Sequence, residues 1–213
     1  MQRPGMRRLA IFDLDGTLVD SRRDLSDAGN AARAALGLPA LPLTAITPMI
    51  GDGAGKLIER LIPDGDSAAR ERAMAAFRTD YATRLTAHTR PYAGVPEMLT
   101  ALRGRGWAVA VATNKPAIFA TPLLAQLGLQ VDGLRGGEGP KKPDPAMLLE
   151  LLREFAAAPA SSWVIGDHHT DLQAAAAAGI RAIHCTWGFG HRGAAPAAAV
   201  AAHPGEIPAL LDA

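Results

Sequence analysis

The chain has little cysteine. Among its 213 residues only Cys185 carries a thiol, which excludes an internal disulfide and is typical of a reducing compartment. The chain also lacks any apolar segment near the roughly 20 residues that a membrane-spanning helix needs. Residues 1–8 are polar and basic, and no apolar stretch of signal-peptide type follows them, so we expect a cytoplasmic protein. Met1 and Met6 are both acceptable translation starts.

An excess of charge of either sign is missing as well. The 22 lysines and arginines nearly balance the 21 aspartates and glutamates, so neither a nucleic acid nor a membrane is indicated as a partner. The hydrophobic fraction of 48% and the charged fraction of 20% are ordinary for a globular protein. A chain of this length can form one large domain, or a core with a small appendage.

The most informative stretch is residues 9–21, which read L-A-I-F-D-L-D-G-T-L-V-D-S. Its first four residues form a short apolar run typical of a buried parallel strand, and Asp15-Gly16 then predicts a sharp turn. Asp13 and Asp15 therefore follow the carboxyl end of a buried strand, where open α/β sheets bind ligands. An ordinary strand end and turn would also fit this stretch alone. Negative charge at this place otherwise indicates a cation or phosphate chemistry.

Residues 18–88 read as helices with no strand between them. Ser21 and Asp24 resemble a capping box at the start of the first helix, which Gly37 ends. A short helix is predicted over 57–61 and a long one over 67–88, where apolar residues follow a helical period.

From residue 89 onward, strands alternate with helices, which predicts a parallel sheet with right-handed crossovers. Thr170 and Gln173 resemble a second capping box, and the glycine-rich residues 133–139 read as a loop. The predicted strands are 107–112, 162–165 and 180–186, and the predicted helices are 95–102, 116–127, 147–155, 173–178 and 207–211. The fold class is thus α/β, a Rossmann-like parallel sheet core of residues 1–17 and 89–213 with an inserted small all-helical cap domain of residues 18–88.

Polar residues follow the predicted strands 9–12, 107–112 and 162–165, and a lysine lies in the loop at 140–145. Each has an ordinary explanation when taken alone, such as a helix cap, a solvated lysine or a favourable charge in a first helical turn. The carboxyl ends of parallel strands meet at one edge of the sheet, however, so coincidence is a poor account of the whole set. The set consists of Asp13, Asp15, Thr113, Asn114, Lys142, Asp167 and Asp171.

Five motifs resemble those of the haloacid dehalogenase-like phosphatases, and the phosphoglycolate phosphatase branch in particular. They are D-L-D-G-T from residue 13, V-A-T-N-K-P from 111, K-K-P-D-P from 141, G-D-x-x-x-D-L-Q-A-A from 166 and T-W-G-F-G from 186. The resemblance extends over nearly the whole chain. It implies that Asp13 is the nucleophile, Asp15 the acid/base, Thr113 a phosphate ligand, and Lys142 the cation that neutralises the phosphate.

The same resemblance implies a Mg²⁺ cofactor. Asp13, Asp167 and the backbone carbonyl of Asp15 would hold the ion, and Asp171 would support the ion or its waters. Gly16 and Asn114 would border the bound phosphate. Lys141, by contrast, is expected to be solvated.

Elementary electrostatics supports the need for these cations. At ~3.5 Å and an effective dielectric constant of about 20, each pair of unit charges repels by roughly 5 kcal/mol, so a carboxylate that attacks a phosphate dianion meets about twice that. Mg²⁺ prefers hard oxygen ligands, and a lysine adds a positive charge on the phosphoryl oxygens.

The inserted helices resemble the small cap that supplies substrate selectivity in this family. Lys56, Arg60 or Arg22 is predicted to pair with a carboxylate of the substrate. The stretch G-D-G-A-G-K before residue 57 is not a P-loop, because Ile50 replaces its first glycine and Leu57 its Ser/Thr. A plain interhelical turn and a loop that faces the substrate explain this stretch equally well.

The histidines have ordinary interpretations. The pair after Asp167 is expected to lie solvated in a loop, although many members of the family carry a serine in its first position. A zinc site is the alternative, but no recognised ligand spacing supports it. The zinc ligands in that alternative would be His168, His169, His184 and Cys185. His88 and His191 are expected to be structural.

The leading hypothesis is a Mg²⁺-dependent phosphatase of small phosphorylated metabolites that acts through an aspartyl-phosphate, with 2-phosphoglycolate as the first substrate to test. A sugar- or amino-sugar-phosphate phosphatase and a β-phosphoglucomutase-like phosphotransferase share the same motifs. Asp15 argues against a dehalogenase, whose members lack the second aspartate. The non-enzymatic alternative is a regulatory module that binds a phosphorylated metabolite. Monomer and homodimer both remain open.

Overall fold

The structure is a computed structural model that describes residues 7–212, so that Met1 and Met6 lie outside the described residues. The strands are β1 (Arg8–Phe12), β2 (Val19–Asp20), β3 (Arg90–Pro91), β4 (Trp107–Ala112), β5 (Gly133–Arg135), β6 (Ser162–Gly166), β7 (Arg181–Cys185) and β8 (Ala199–Ala201). The helices are α1 (Arg22–Ala34), α2 (Leu43–Ile46), α3 (Ala54–Leu61), α4 (Ser67–Thr83), α5 (Val95–Gly104), α6 (Ala117–Gln126), α7 (Ala146–Glu154), α8 (His169–Ala177) and α9 (Ile207–Asp212). Among these described helices, none is long and apolar enough to cross a membrane.

Six strands form one parallel sheet in the order β5-β4-β1-β6-β7-β8, which confirms the predicted α/β class. Strand β1 is central, and its Ile11 lies opposite Ala110 of β4 and Val164 of β6. The carboxyl ends of these three strands therefore meet at the same edge. Strands β5 and β8 were not predicted, because each is only three residues long and rich in glycine or alanine.

The central strands are apolar on both faces because helices cover the sheet on both sides. On one side Phe12 and Val109 pack in a buried cluster with residues of α5, α6 and α9. On the other side Leu9 and Ile11 pack against α7 and α8. Complete burial of one such large apolar side chain stabilises the fold by about 1.5–3 kcal/mol, which makes the sheet a rigid support for the loops at its edge.

Helices α1 to α4 are inserted between β2 and β3 and form their own apolar cluster, in which Phe77 and Tyr81 are buried. Strands β2 and β3 pair with each other as a short antiparallel ribbon, with Val19 opposite Pro91. The sequence predicted no strand within residues 18–88. That prediction is wrong, because β2 begins at residue 19. The predicted domain boundaries at residues 17/18 and 88/89 remain a prediction.

The capping box predicted at Ser21 and Asp24 is wrong, because both side chains are used in tertiary contacts. Ser21 donates its hydroxyl hydrogen bond to Asp15 over 2.5 Å and makes no cap hydrogen bond. The carboxylate of Asp24 accepts hydrogen bonds from the backbone N–H of His88 and from both the N–H and the hydroxyl of Thr89. Helix α4 accordingly ends at residue 83, and the chain that follows turns back to the ribbon.

The second predicted capping box is also displaced. Helix α8 begins at His169, and the backbone N–H of His168 donates to the Asp171 carboxylate over 3.1 Å. Asp171 thus occupies the capping position that the sequence analysis assigned to Gln173. The helix starts earlier than predicted, directly after the polar end of β6.

Candidate active site

The loop after β1 turns sharply at Gly16, and the carboxylate of Asp167, which follows β6, packs against this turn. The backbone N–H of Asp13 donates to the carbonyl of Ile165, which fixes the end of β1 beside β6. Gly16 then adopts a φ of +92°, a conformation that side chains other than glycine rarely adopt. A Cβ atom there would lie 2.1 Å from an oxygen of Asp167. Residue 16 must therefore be glycine, because this turn leaves space only for the carboxylate.

Three carboxylates meet at this edge. Oxygen atoms from Asp13, Asp167 and Asp171 lie within 4.8 Å of one another, and Asp167 and Asp171 are each only 1% exposed. Burial, together with the charges of the two neighbours, raises the pKa of Asp167 to about 8. Burial also raises the pKa of Asp13 to about 6, although Lys142 opposes this shift. Buried hard oxygens that repel one another in this way fit a divalent cation such as Mg²⁺.

The loop after β7 holds the Asp167 side chain in place. The backbone N–H groups of Phe189 and Gly190 donate to one carboxylate oxygen over 3.1 and 2.7 Å, and the Thr17 hydroxyl donates to the other over 3.1 Å. A Cβ at Gly188 would lie 2.4 Å from Asp167. The glycines of the T-W-G-F-G motif therefore allow the backbone to approach this carboxylate closely.

Lys142 is the positive charge within the carboxylate group. Its Nζ donates to Asp13 over 2.8 Å, to Asp171 over 2.6 Å and to the carbonyl of Ala112 over 2.6 Å. Burial alone would lower the pKa of this lysine, but the two carboxylates raise it above its ordinary value. Lys142 thus stays protonated although it is only 4% exposed.

Thr113 and Asn114 lie directly after β4 and are both buried. The Thr113 hydroxyl accepts a hydrogen bond from the backbone N–H of Lys115. The Asn114 side chain exchanges hydrogen bonds with the backbone of Lys142, since it accepts from the N–H over 2.8 Å and donates to the carbonyl over 3.1 Å. It also donates to the carbonyl of Gly51 among the inserted helices. Asn114 therefore joins the lysine loop, the core and the insertion.

Sequence reasoning missed Lys115, the last polar residue of the V-A-T-N-K-P motif. Its Nζ donates to Asp15 over 2.5 Å and to the Tyr81 hydroxyl over 2.8 Å. Burial lowers the pKa of Lys115, and the nearby Asp15 and Tyr81 raise it to a net value above the ordinary one. The sequence offered one indication of a functional role for Lys115, namely a lysine in a largely apolar stretch, two positions beyond Thr113. Nothing in the sequence indicated its partner Asp15, which lies 100 positions away.

Comparison with known proteins agrees with this arrangement. A family model described as haloacid dehalogenase-like hydrolase matches residues 8–179, which is most of the chain. The chain belongs to the haloacid dehalogenase-like hydrolases. The phosphoglycolate phosphatase of Pseudomonas putida is 39% identical over 88% of this chain and 73% of its own length. That of Nitrosospira multiformis is 39% identical over 85% and 84%, respectively.

A solved structure has the same fold. The crystal structure of a predicted phosphoglycolate phosphatase from Haemophilus somnus superimposes with a TM-score of 0.91, at 27% identity, over 98% of this chain and 99% of that one. Within the haloacid dehalogenase-like hydrolases, the chain is therefore of the phosphoglycolate phosphatase type. The family and these relatives together identify it as a phosphoric monoester hydrolase.

A cavity of about 70 Å³ opens between the core edge of this hydrolase and the inserted helices. From the core it is lined by Asp13, Asp15, Thr113, Asn114 and Lys115, and from the insertion by residues that include Gly51, Leu57, Phe77, Arg78 and Tyr81. The predicted site residues Gly16, Lys142, Asp167 and Asp171 do not line the cavity themselves, but Lys142 donates to its Asp13, and Asp167 and Asp171 lie beside that carboxylate. Their catalytic and ligand roles remain predictions.

The cap residues predicted to bind the substrate are not at this cavity. Lys56 is exposed and pairs with Glu59 over 2.8 Å along α3. Arg60 pairs with Asp52 and donates to a backbone carbonyl, so it stabilises the loop before α3 instead. Arg22, the third candidate, pairs with an aspartate of β2 over 2.6 Å. None of these three cations lines the cavity, because acidic side chains nearby in sequence hold each of them.

The expectation that His168 lies solvated is wrong, since the side chain is only 4% exposed. Burial and the neighbouring His169 are the main causes that lower its pKa to about 4. The zinc alternative of the sequence analysis named the wrong companions: His184 and Cys185 belong to β7, whereas a ring nitrogen of His191 groups with those of His168 and His169. Lys141 is exposed, as expected.

Proposed function

We propose that this hydrolase is a Mg²⁺-dependent phosphatase that cleaves small phosphorylated metabolites through an aspartyl-phosphate, with 2-phosphoglycolate as its principal substrate. The observation that carries this proposal is the position of Asp13. Its carboxylate lies on the floor of a covered cavity, 2.8 Å from the ammonium of Lys142 and beside Asp167. The names of the relatives support the choice of substrate.

In the first step, a carboxylate oxygen of Asp13 forms a bond with phosphorus while the bond between phosphorus and the leaving oxygen breaks. Asp15 supplies the proton that the leaving alkoxide needs. In the second step, Asp15 takes a proton from water as the water oxygen attacks phosphorus, and Asp13 leaves as a free carboxylate. Two such steps replace one very slow hydrolysis.

The cation chemistry follows from the donor set. Asp13, Asp167 and the backbone carbonyl of Asp15 would hold Mg²⁺, with Asp171 in support. When bound, the ion would neutralise charge on the phosphoryl oxygens. Lys142 adds a fixed positive charge, and the Thr113 hydroxyl adds a donor for a phosphoryl oxygen.

Two side chains from outside its own loop donate hydrogen bonds to Asp15, the proposed acid/base residue. Lys115 and Ser21 both donate to the same oxygen of Asp15, over 2.5 Å each. Lys115 is anchored in turn by the hydroxyl of Tyr81, on cap helix α4. This arrangement orients the Asp15 carboxylate toward the cavity, and it makes that orientation depend on the closed position of the cap.

For the carboxylate end of 2-phosphoglycolate, we assign Arg78 in place of the cap residues predicted from sequence. Arg78 lies on α4 and lines the cavity. Among residues 7–212 it has no ion-pair or hydrogen-bond partner, whereas the other cavity-lining cation, Lys115, is engaged by Asp15. A guanidinium can bind a carboxylate through two parallel hydrogen bonds.

A phosphate-release screen over a panel of metabolites, with and without Mg²⁺, tests the proposal. Release should be fastest for 2-phosphoglycolate and should need the cation. The matched control is Asp13→Asn, which preserves size but removes the nucleophile. Activity that survives this substitution or thorough chelation would overturn the mechanism. Faster release from sugar phosphates would leave the mechanism intact and overturn only the substrate.

A further inference from the structure

Three imidazoles meet beside the active site. His168 precedes α8, His169 is the first residue of α8, and His191 lies in the loop after β7. The ring centroids are 4.1 Å apart for His168 and His169, 4.8 Å for His168 and His191, and 4.9 Å for His169 and His191. We call these three residues the histidine cluster. The phosphatase mechanism uses none of them.

The spacing of the histidine cluster is close to that of a metal centre. One ring nitrogen from each residue lies within 4.8 Å of the others. Tetrahedral zinc has bonds to nitrogen of about 2.0–2.1 Å, which separates its ligand atoms by about 3.4 Å. The backbones are already joined, because the N–H of His169 donates to the carbonyl of His191 over 2.8 Å. Rotation of the exposed His191 side chain and small adjustments of the other two rings would close the remaining distance.

The outer atoms of the two rings near α8 have oxygen partners. The Nδ1 of His168 lies 3.0 Å from the Thr170 hydroxyl, and the Nδ1 of His169 lies 3.4 Å from the side-chain oxygen of Gln173. Histidines that bind metals generally have such a partner on one ring nitrogen, which leaves the other nitrogen for the ion. Here the two Nε2 atoms are the ones left for an ion.

The histidine cluster also touches the cap. A Cβ built on Gly51, in the loop before α3, would lie 3.0 Å from the Nε2 of His168. Burial would raise the pKa of the next residue, Asp52, but Arg60 and, to a smaller degree, His168 and His169 lower it below its ordinary value, so this carboxylate lies near the two rings. The dipole at the amino end of α8 disfavours a cation, and the Asp52 carboxylate, which Arg60 already pairs, offsets that effect only in part.

We propose that His168, His169 and His191 form a binding site for a transition-metal ion of the zinc type, distinct from the oxygen site of the three aspartates. Imidazole nitrogen suits Zn²⁺, Co²⁺ and Ni²⁺, whereas Mg²⁺ prefers oxygen ligands, so the two sites select different ions. An ion at the histidine cluster would join α8 to the loop after β7, directly beside Gly51 of the insertion. The site does not depend on the proposed substrate.

Titration of the full chain with Zn²⁺ in excess Mg²⁺, followed by calorimetry, tests this proposal. The intact protein should bind one Zn²⁺. His169→Gln and His191→Gln should each weaken binding by at least about tenfold, since loss of outer partners alone costs 10–100-fold at metal sites. His203→Gln, which changes an exposed histidine outside the cluster, should bind as the intact protein does. Co²⁺ should give an intense visible band that both cluster variants lose.

Several outcomes would overturn the site. These are no binding of Zn²⁺ in the presence of Mg²⁺, equal binding by both cluster variants, or loss of binding in Asp13→Asn, which would move the ion to the aspartates. The altered histidines are not part of the buried core, so matched thermal unfolding of the metal-free variants should establish that they fold. No turnover is measured, and failure here is separate from failure of the phosphatase proposal.

Discussion

The sheet edge and the cap of this hydrolase use charge in opposite ways. At the edge, Lys142 and Lys115 are buried and bind Asp13 and Asp15, which are 129 and 100 positions away in sequence. In the cap, Lys56 and Arg60 are exposed and pair with acidic residues three and eight positions away. Buried pairs orient reacting groups with little screening, whereas exposed local pairs contribute about 0–1 kcal/mol each. We therefore expect the chemistry at the edge and substrate selectivity from the cap.

Among the substitutions that test this comparison, removal of the proposed nucleophile, Asp13, should have the largest effect on activity. We expect Asp13→Asn to reduce kcat for phosphate release by at least about 10⁴-fold, since the loss of a nucleophile has cost roughly 10⁶ in other hydrolases. The matched change in the cap, Lys56→Ala, should leave the rate unaltered. Steady-state phosphate release measures both. A comparable loss from the two variants would erase the distinction between edge and cap.

Substitution of one glycine at the edge and one in the cap gives a second test of this comparison. Gly16→Ala places a Cβ 2.1 Å from the Asp167 carboxylate at a φ of +92°, so we expect loss of activity and about 1–3 kcal/mol of stability. Gly55→Ala on α3 meets no atom within 4 Å and should stabilise the protein by about 0.5–1 kcal/mol. Thermal unfolding and phosphate release give the two readings. A well-folded, active Gly16→Ala protein contradicts the proposed arrangement.

Between about pH 4 and 8, stability should also depend on pH through the carboxylates of the edge. Asp13 and Asp167 have pKa values of about 6 and about 8 in the fold, against 3.8 for the free carboxyl group. Between about pH 4 and 8 the folded protein therefore holds protons that the unfolded chain has released. The two raised pKa values stabilise the folded protein fully below about pH 4, and this stabilisation is lost as the pH rises through 6 and 8.

Mg²⁺ should reverse this loss, because the cation binds the ionised carboxylates. We expect Mg²⁺ to raise the melting temperature more at pH 8 than at pH 5, as measured by scanning calorimetry. Asp167→Asn removes one of the titrating groups and should weaken both the pH dependence and the effect of the ion. An increase in Tm that is equal at both pH values, or unchanged in the variant, argues against a cation at the three aspartates.

A smaller effect should come from the lysine that sequence reasoning missed. Lys115→Met removes the ammonium that orients Asp15 while it keeps an apolar stem of similar length. We expect kcat to fall by about 10²-fold with little change in KM, since positioned acid/base groups contribute typically 10²–10⁴. Ser21→Ala, which removes the other donor to Asp15, is the companion variant and should have a weaker effect. A change confined to KM would assign Lys115 to substrate binding.

The smallest expected effect lies in the cap itself. Arg78→Ala should raise KM for 2-phosphoglycolate by about tenfold, or about 1.4 kcal/mol, and leave kcat nearly unchanged. Against a phosphoester that has no carboxylate, such as glycerol phosphate, the same variant should behave normally. Arg60→Ala, which changes an arginine away from the cavity, should leave both KM values unaltered. The reverse ranking of the two arginines would restore the cap residues first predicted from sequence.

The reliability of prediction follows the same division of the molecule. Strand β4 was predicted to the residue, and β1 and β6 within one, because a continuous apolar run that ends at a polar residue is a local signal. The capping box predicted at Ser21 and Asp24 failed because both side chains make tertiary contacts that no local pattern records. For the cap, nothing in the sequence separated Arg78, which lines the cavity, from Lys56, which does not.

By itself, the sequence determined the α/β class, the helical insertion and the set of polar residues at the strand ends, because burial and turn formation depend on neighbours along the chain. Only the tertiary structure decided which charges meet. The pairing of Lys115 with Asp15, the contact of Gly16 with Asp167 and the grouping of His191 with His168 and His169 all join separate segments. Such partners become neighbours only when the sheet and the cap pack together.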